Sequence, residues 1–249
     1  FKVGNLAKFG LDYKSLSEIN PKLIYASVTG FGQTGPRSSE PGYDAALQGM
    51  TGIMSVTGEP DGRPTKVGVA WIDILTGLNA TIGILGALNE RNTSGLGQHI
   101  DVSLFDVGIA SMGYLAQNYL ATGVSATRIG NAHPQVAPYQ DFEASNGNFI
   151  AAANNDDQFH RLCNTIGLPE LLKDDRFESN SKRVSNRIVL AEKLNSVFKA
   201  NTIDYWTDKL QSAGITITPI NDIGTVLEDP QTAARNSIWS INHPDIQDL

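Results

Sequence analysis

The sequence predicts an α/β layer architecture followed by a smaller α+β domain, and three observations carry that expectation. An unbroken apolar run, residues 23–29, ends in a glycine-rich loop, the pattern of a strand buried in a parallel sheet. A long helix begins near Asp73 and continues to Arg91, with Leu75, Leu78, Ile82, Leu85 and Leu88 at helical spacing. Beyond Gly123 the periodicity changes to a hairpin and separate helices.

Taken in order, residues 11–20 read as a short amphipathic helix stopped by Pro21. The strand over residues 22–30 follows, then the loop Gly-Phe-Gly-Gln-Thr-Gly-Pro at residues 30–36. No Gly-Lys-Ser/Thr follows it, so it is not a phosphate-binding P-loop. Residues 43–54 form a second helical segment, and residues 59–62, Glu-Pro-Asp-Gly, make a turn. In the long helix, Thr76, Ala80, Gly83 and Ala87 form a second stripe of small residues, so both faces are expected to be buried. Residues 92–97 read as a turn, residues 98–104 as a strand, and residues 105–121 as one long helix.

Residues 130–138 have no periodicity and two prolines, the mark of an ordered connecting loop. A hairpin turns on Asn146-Gly147 between residues 139–143 and 148–153. Helices are expected over residues 156–166 with Gly167 as C-cap, over 182–199, and over 202–213 with Thr202 capping and Gly214 ending it. Trp206 and Leu210, four apart, belong to the core. A strand at 215–220 and a helix at 222–236 complete the pattern.

The 249 residues suffice for one large or two ordinary domains, and 41% hydrophobic with 18% charged residues is an ordinary globular composition. A net charge of −7 argues against a nucleic-acid partner but leaves room for a local basic pocket. Cys163, the one cysteine, permits no intrachain disulfide and fits a reducing compartment. Its helical surroundings make it a buried structural thiol. The histidines at 99, 133, 160 and 243 lack metal-ligand spacing, so no metal is expected. No uninterrupted apolar run of about eighteen residues occurs, so no membrane span is expected. The chain opens without a methionine and reads as a fragment.

Asp73 is the first candidate for chemistry. It stands in the first turn of the long helix, and the next acid along the chain is Glu90. Free backbone N–H groups and the positive end of the helix dipole favour its ionised form there. Aspartate also caps helices very often, so cap and nucleophile stand side by side on this reading.

Several segments together resemble the class III CoA-transferase family, which includes formyl-CoA and carnitine CoA-transferases. They are residues 23–36, Gly-Tyr-Asp at 42–44, Ser-Val-Thr-Gly-Glu-Pro at 55–60, the Asp73 segment, residues 93–103, and Gly-Asn-Ala-His-Pro at 130–134. Residues 132–133, 138–140, 154–155 and 158–159 are most similar to the members acting on succinyl-CoA and glutarate.

The resemblance implies that Asp73 is the catalytic nucleophile, attacking an acyl-CoA thioester to give a mixed anhydride and then an aspartyl-CoA thioester. It implies that the flexible loop Gly130, Asn131, Ala132 and His133 lies over the site and shields the anhydride from water. Tyr43 stands where the family's racemases carry a histidine. Tyrosine, with an ordinary pKa near 10, is a poor base at neutral pH, which favours transfer over α-proton exchange. A CoA-binding paralogue without activity is the remaining alternative. Phe1 and Lys8 are the expected contacts to CoA, although Val3 replaces the proline usual in the family. Among Arg37, Arg63 and Arg128, the last is the candidate partner for a substrate's distal carboxylate.

The resemblance further implies a Rossmann-like large domain over residues 1–123, a linker and active-site loop at 124–137, a small α+β domain at 138–221 and a return segment at 222–249. It implies an interlocked homodimer, CoA thioesters as substrates without a permanently bound cofactor, and a cytoplasmic or, in a eukaryote, mitochondrial-matrix location. The family's first strands, which supply a glutamine near the reacting carbonyl, would precede Phe1, and the C-terminal segment would continue past Leu249. The isolated chain is therefore expected to be inactive.

Overall fold

The computed structural model describes residues 2–241. They form a mixed α/β chain of two compact units that divide between Gly130 and Asn131. In the first unit, α1 (Tyr13–Ile19) starts at Asp12, whose carboxylate accepts from the Ser15 N–H at 3.2 Å. After β1 (Tyr25–Thr29) come α2 (Asp44–Met50) and α3 (Ile53–Val56). One continuous helix was expected from Tyr43 to Met54, but Gly52 adopts φ 95° between the two, which breaks the ladder.

Next is α4 (Trp71–Ser94), which ends on Gly95 at φ 75°, and then β2 (His99–Ser103). The strands are parallel, Tyr25 opposite His99 and Thr29 opposite Ser103. The segment between them, carrying α2 to α4, is the crossover that a parallel pair requires.

The expectation that α4 buries both faces is corrected. Its inner face is the small stripe: Thr76, Ala80 and Ala87 are buried, as is Ile72 one turn before them, and a Cβ at Gly83 would meet the Ile100 side chain at 2.9 Å. Such close approach to β2 admits only small side chains. The larger ones, Ile74, Leu78, Ile82, Leu85 and Leu88, are therefore turned outward and exposed.

By length and composition α4 is also apolar enough to cross a bilayer, contrary to the reading that no segment is. The difference arises because interspersed Thr, Asn and Gly interrupt the run without lowering its mean hydropathy enough. Ala26 and Val28 of β1 are likewise exposed rather than buried, since only β2 pairs with β1 among the described residues.

The long helix expected after β2 is two helices, α5 (Leu104–Ser111) and α6 (Tyr114–Thr122). Gly113, at φ 51° and ψ −127°, separates them. Ser103 caps α5 by accepting from the Asp106 N–H at 3.0 Å.

The second unit is built on an antiparallel sheet. β3 (Tyr139–Ala144) and β4 (Gly147–Ala152) form the expected hairpin, with Ala144 opposite Gly147. α7 (Asp156–Ile166) has Asn155 as N-cap and ends on Gly167 at φ 81°. Residues 182–199 hold two helices rather than one, α8 (Asn180–Ser185) and α9 (Arg187–Phe198), because Asn186 leaves helical geometry at φ −114° and ψ 22°. α10 (Ile203–Ser212) is capped by Thr202 as expected, and β5 (Thr216–Pro219) pairs antiparallel with β4.

The last expected helix is α11 (Ile223–Leu227) and α12 (Pro230–Ala234). Pro230 has no N–H to continue a ladder, and Asp229 before it is extended.

Aromatic side chains fill this unit's core. The Phe198 ring meets Phe142, Phe149 and Trp206 edge-on at 5.1, 5.1 and 5.2 Å, and Trp206 Nε1 donates to the Phe198 carbonyl at 2.8 Å. Truncating Phe198 to Ala should cost about 3–5 kcal/mol of unfolding free energy, read from a denaturant midpoint; a loss below about 1 kcal/mol would contradict this packing.

Cys163 is buried in the same core, and burial pushes its thiol up to about 12. It should be inert to an aromatic disulfide reagent at pH 8 in the folded protein and react once denaturant is added.

Candidate active site

The backbone at the start of α4 lacks a local cap. Ala70 occupies the N-cap position and offers no side-chain acceptor. Asp44, at the start of α2, supplies one instead: its Oδ1 accepts from the Ile72 N–H at 2.8 Å and the Asp73 N–H at 3.3 Å. Its Oδ2 accepts from Gln48 Nε2 at 2.7 Å, one helical turn on.

Gln48 is fully buried, and its Oε1 accepts from the Val67 N–H at 2.8 Å. Two side chains on one face of α2 thus fix both the approach to α4 and its first turn.

Asp73, third in α4, is exposed, and its carboxylate has no hydrogen bond or ion pair among the described residues. It is not the cap. The reading of Asp73 as an acid without a close neighbour is corrected too, because folding brings the Asp44 carboxylate onto Asp73's own amide. The helix-end donors expected to serve Asp73 are therefore occupied by Asp44. The carboxylate of Asp73 is left with free lone pairs, as a nucleophile requires.

Tyr43 precedes Asp44 and is largely exposed. With Lys2, Val28, Ser39 and Glu40 it lines a cavity of about 420 Å³. A second cavity, of about 540 Å³, lies along β1 and shares Lys2 with the first. Lys14 adds another cation to it, and Tyr13, Tyr25 and His99 make an aromatic wall.

The His99 ring stacks on Tyr13 at 5.2 Å and meets Tyr25 edge-on at 5.4 Å, while Ser27 Oγ lies 2.8 Å from His99 Nε2. Lys8 lines neither cavity; its Nζ stands 5.0 Å from the Phe9 ring centroid. Phe1 lies outside the described residues.

Arg128 spans the turn at residues 59–62, donating from Nε to the Glu59 carbonyl at 3.2 Å and from Nη2 to the Gly62 carbonyl at 2.8 Å. Gly130 donates to the Gly58 carbonyl at 3.1 Å with φ 61°. A Cβ there would meet Glu59 Oε2, the end of a flexible side chain, at 3.0 Å, so it is the left-handed backbone that calls for glycine.

Asn131, Ala132 and His133 belong to the second unit. Asn131 and Ala132 make no backbone hydrogen bond among the described residues, but from His133 onward the loop is held, contrary to the expectation of flexibility throughout. The His133 N–H donates to the Tyr139 carbonyl at 2.8 Å, and the two rings stack at 5.2 Å. His133 Nδ1 accepts from the Gln135 N–H at 3.2 Å, which places the proton of the neutral ring on Nε2.

The whole chain, residues 1–249, matches the family described as CoA-transferase family III. The chain belongs to CoA-transferase family III. It is 45% identical over 236 residues to the succinate–glutarate CoA-transferase of Agrobacterium fabrum, covering 94% of this chain and 59% of that protein. It is 41% identical over 239 residues to the acetyl-CoA:oxalate CoA-transferase of Acetobacter aceti, covering 96% and 61%.

Among solved structures, a CAIB/BAIF family protein from Brucella suis superposes with a TM-score of 0.87 at 47% identity, covering 98% of this chain and 68% of that one. The chain thus spans about three fifths of the length of these curated CoA-transferase relatives.

Asp44 and Gln48 were missed in the sequence because their partners lie far along the chain, at Asp73 and Val67. Lys2 and Lys14 were missed because no spacing rule joins a chain start to a helix. Asp44→Ala should cost about 1 kcal/mol or more of stability by uncapping α4, read from thermal unfolding; an unchanged midpoint would show that the Asp44 cap does not hold the helix start.

Proposed function

We propose that the protein containing this chain moves coenzyme A from an acyl-CoA to a carboxylic acid, with succinyl-CoA and glutarate as the pair. The carrying observation is the unpartnered Asp73 carboxylate at a helix start whose backbone donors Asp44 already occupies. Family membership and the printed activities of the relatives support the reaction class. The succinate–glutarate relative, at 45% identity against 41% for the oxalate one, supports the choice of pair.

The steps conserve charge without a proton transfer. An Asp73 oxygen bonds to the thioester carbon, the C–S bond breaks and CoA leaves as thiolate, giving a mixed anhydride. The thiolate then attacks the Asp73 carboxyl carbon and releases the donor acid. The acceptor carboxylate attacks the resulting aspartyl-CoA thioester, and the freed thiolate takes the acceptor's acyl carbon. Asp73 is regenerated.

Donors aimed at the developing oxyanion would lower these barriers, and a dry site would protect the anhydride. The loop of Gly130, Asn131, Ala132 and His133 fits the second task. Lys2 and Lys14 beside an aromatic wall fit the phosphates and adenine of CoA, with Phe1 and Lys8 as further contacts. Arg128 keeps Nη1 for a substrate carboxylate while its other donors hold the 59–62 turn.

The architecture implied is a Rossmann-like domain over residues 1–123, an active-site linker at 124–137, a small domain at 138–221 and a return segment at 222–249, in a homodimer. The exposed apolar face of α4 supports the presence of further chain against it.

Full-length protein given succinyl-CoA and glutarate in heavy water should form glutaryl-CoA without α-deuterium, and Asp73→Asn should lower that rate by at least about 10⁴-fold. A folded Asp73→Asn variant working at the parent rate would end the assignment. A branched acyl-CoA that gains deuterium while no new thioester forms would replace transfer by α-proton exchange.

A further inference from the structure

The side-chain amide of Gln48 meets two opposite demands. Its Oε1 accepts from the Val67 N–H at 2.8 Å, while its Nε2 donates to Asp44 Oδ2 at 2.7 Å and lies 3.4 Å from the Val69 carbonyl oxygen. A backbone N–H needs an acceptor and a carboxylate needs a donor, so the amide has one workable orientation. An ionised carboxylate at position 48 could not serve both. The side chain is fully buried, where water does not replace a lost partner.

Asp44 carries the constraint onward. Its Oδ2 faces Gln48, and its Oδ1 accepts from the Ile72 and Asp73 N–H groups at 2.8 and 3.3 Å. Leu47, beside Gln48 on α2, shares a buried cluster with Ile72, so the two helices are also packed together at this point.

Gln48 thus holds residues 67–69 and, through Asp44, residues 72 and 73. These lie on both sides of Ala70, the position without a side-chain cap. The pair bonds the Asp73 amide directly and leaves its carboxylate alone. Having no exposed surface, Gln48 acts only through these partners.

We infer that Gln48 is a positioning residue for Asp73, which through Asp44 fixes the direction in which the Asp73 carboxylate meets the thioester carbon and so sets kcat rather than substrate affinity. The inference rests on the reading of Asp73 as nucleophile given above. The bonds made and broken are those of that exchange, and Gln48 and Asp44 neither take nor give a proton. Attack needs the oxygen held within about 3–3.5 Å of the carbon and aligned with it, and a misplacement of about 1 Å costs on the order of 10²-fold.

The hydrogen bonds of the pair can be reversed as a set. Asp44→Asn alone sets one NH2 group against another, and Gln48→Glu alone sets one carboxylate against another. Made together, the new amide at position 44 donates to the new carboxylate at position 48, whose second oxygen still accepts from Val67. The amide oxygen at position 44 still accepts from Ile72 and Asp73.

Full-length protein is assayed for kcat and KM with succinyl-CoA and glutarate, as parent, both single variants, the paired variant and Asp73→Asn, each first shown to be folded by thermal unfolding. Each single variant at 44 or 48 should lower kcat at least about tenfold with KM for succinyl-CoA changed less than about twofold, and the paired variant should return to within about threefold of the parent.

A folded Gln48→Glu variant with the parent's kcat would overturn the inference, as would a loss confined to KM or a paired variant no faster than the slower single one. If Gln48→Glu does not fold, Gln48→Met, similar in shape but without the polar contacts, decides alone: the parent's kcat in that folded variant overturns the inference. Asp73→Asn working at the parent rate removes the reading of Asp73 and this inference with it; an inactive Asp73→Asn beside unaltered Gln48 and Asp44 variants removes only this inference.

Discussion

One carboxylate holds the candidate site together. Asp44 accepts two backbone N–H groups at the start of α4, and through Gln48 it also fixes the approach to the helix at Val67. An α-helix start carries four donors without intrahelical partners, and residues 70–73 offer no side chain that serves them locally. Had Asp73 served as the cap, its oxygens would be engaged with the backbone. Because Asp44 takes that role, the chemistry-bearing acid and the structure-bearing acid are different residues. That separation is what makes a reactive Asp73 compatible with a stable helix.

The same division of labour recurs in the second unit. The loop at residues 133–137 has no secondary structure, yet its backbone groups are met by Arg183, Arg187, Asn180 and the Tyr139 carbonyl. A buried arginine bonded to carbonyls is an expensive way to order a loop unless its desolvation is offset. For Arg183 the offset comes from Asp156 and the Phe159 face. The aromatic core around Phe198 gives α9, and with it Arg187, a fixed base.

Much of the fold was legible where the signal is local. Gly167 ends α7, Thr202 caps α10, and Asn146-Gly147 turns the hairpin, as their side-chain and backbone preferences dictate. Helix interruptions were not legible at Gly52, Gly113 and Asn186, since periodicity continues across them and only the backbone angle breaks.

The small-residue stripe of α4 was seen, but which face meets the sheet was decided by how close β2 approaches, with Gly83 against Ile100. Asp73 was found through its place in a helix start, whereas Asp44 was not, because its partners lie 28 and 29 residues away. Likewise the loop's arginines gave no sign in the sequence of the carbonyls they would hold.

The central claim is that Asp73 itself exchanges an oxygen with the substrates. Full-length protein would be turned over with succinyl-CoA and glutarate labelled with oxygen-18 in both carboxylates, then digested and weighed. Each turnover routes one acceptor oxygen through the anhydride into Asp73, so the peptide bearing it should gain about 2 Da per exchanged oxygen while glutaryl-CoA accumulates. Glutaryl-CoA forming with no label in that peptide, or with the label in a different one, would contradict the account.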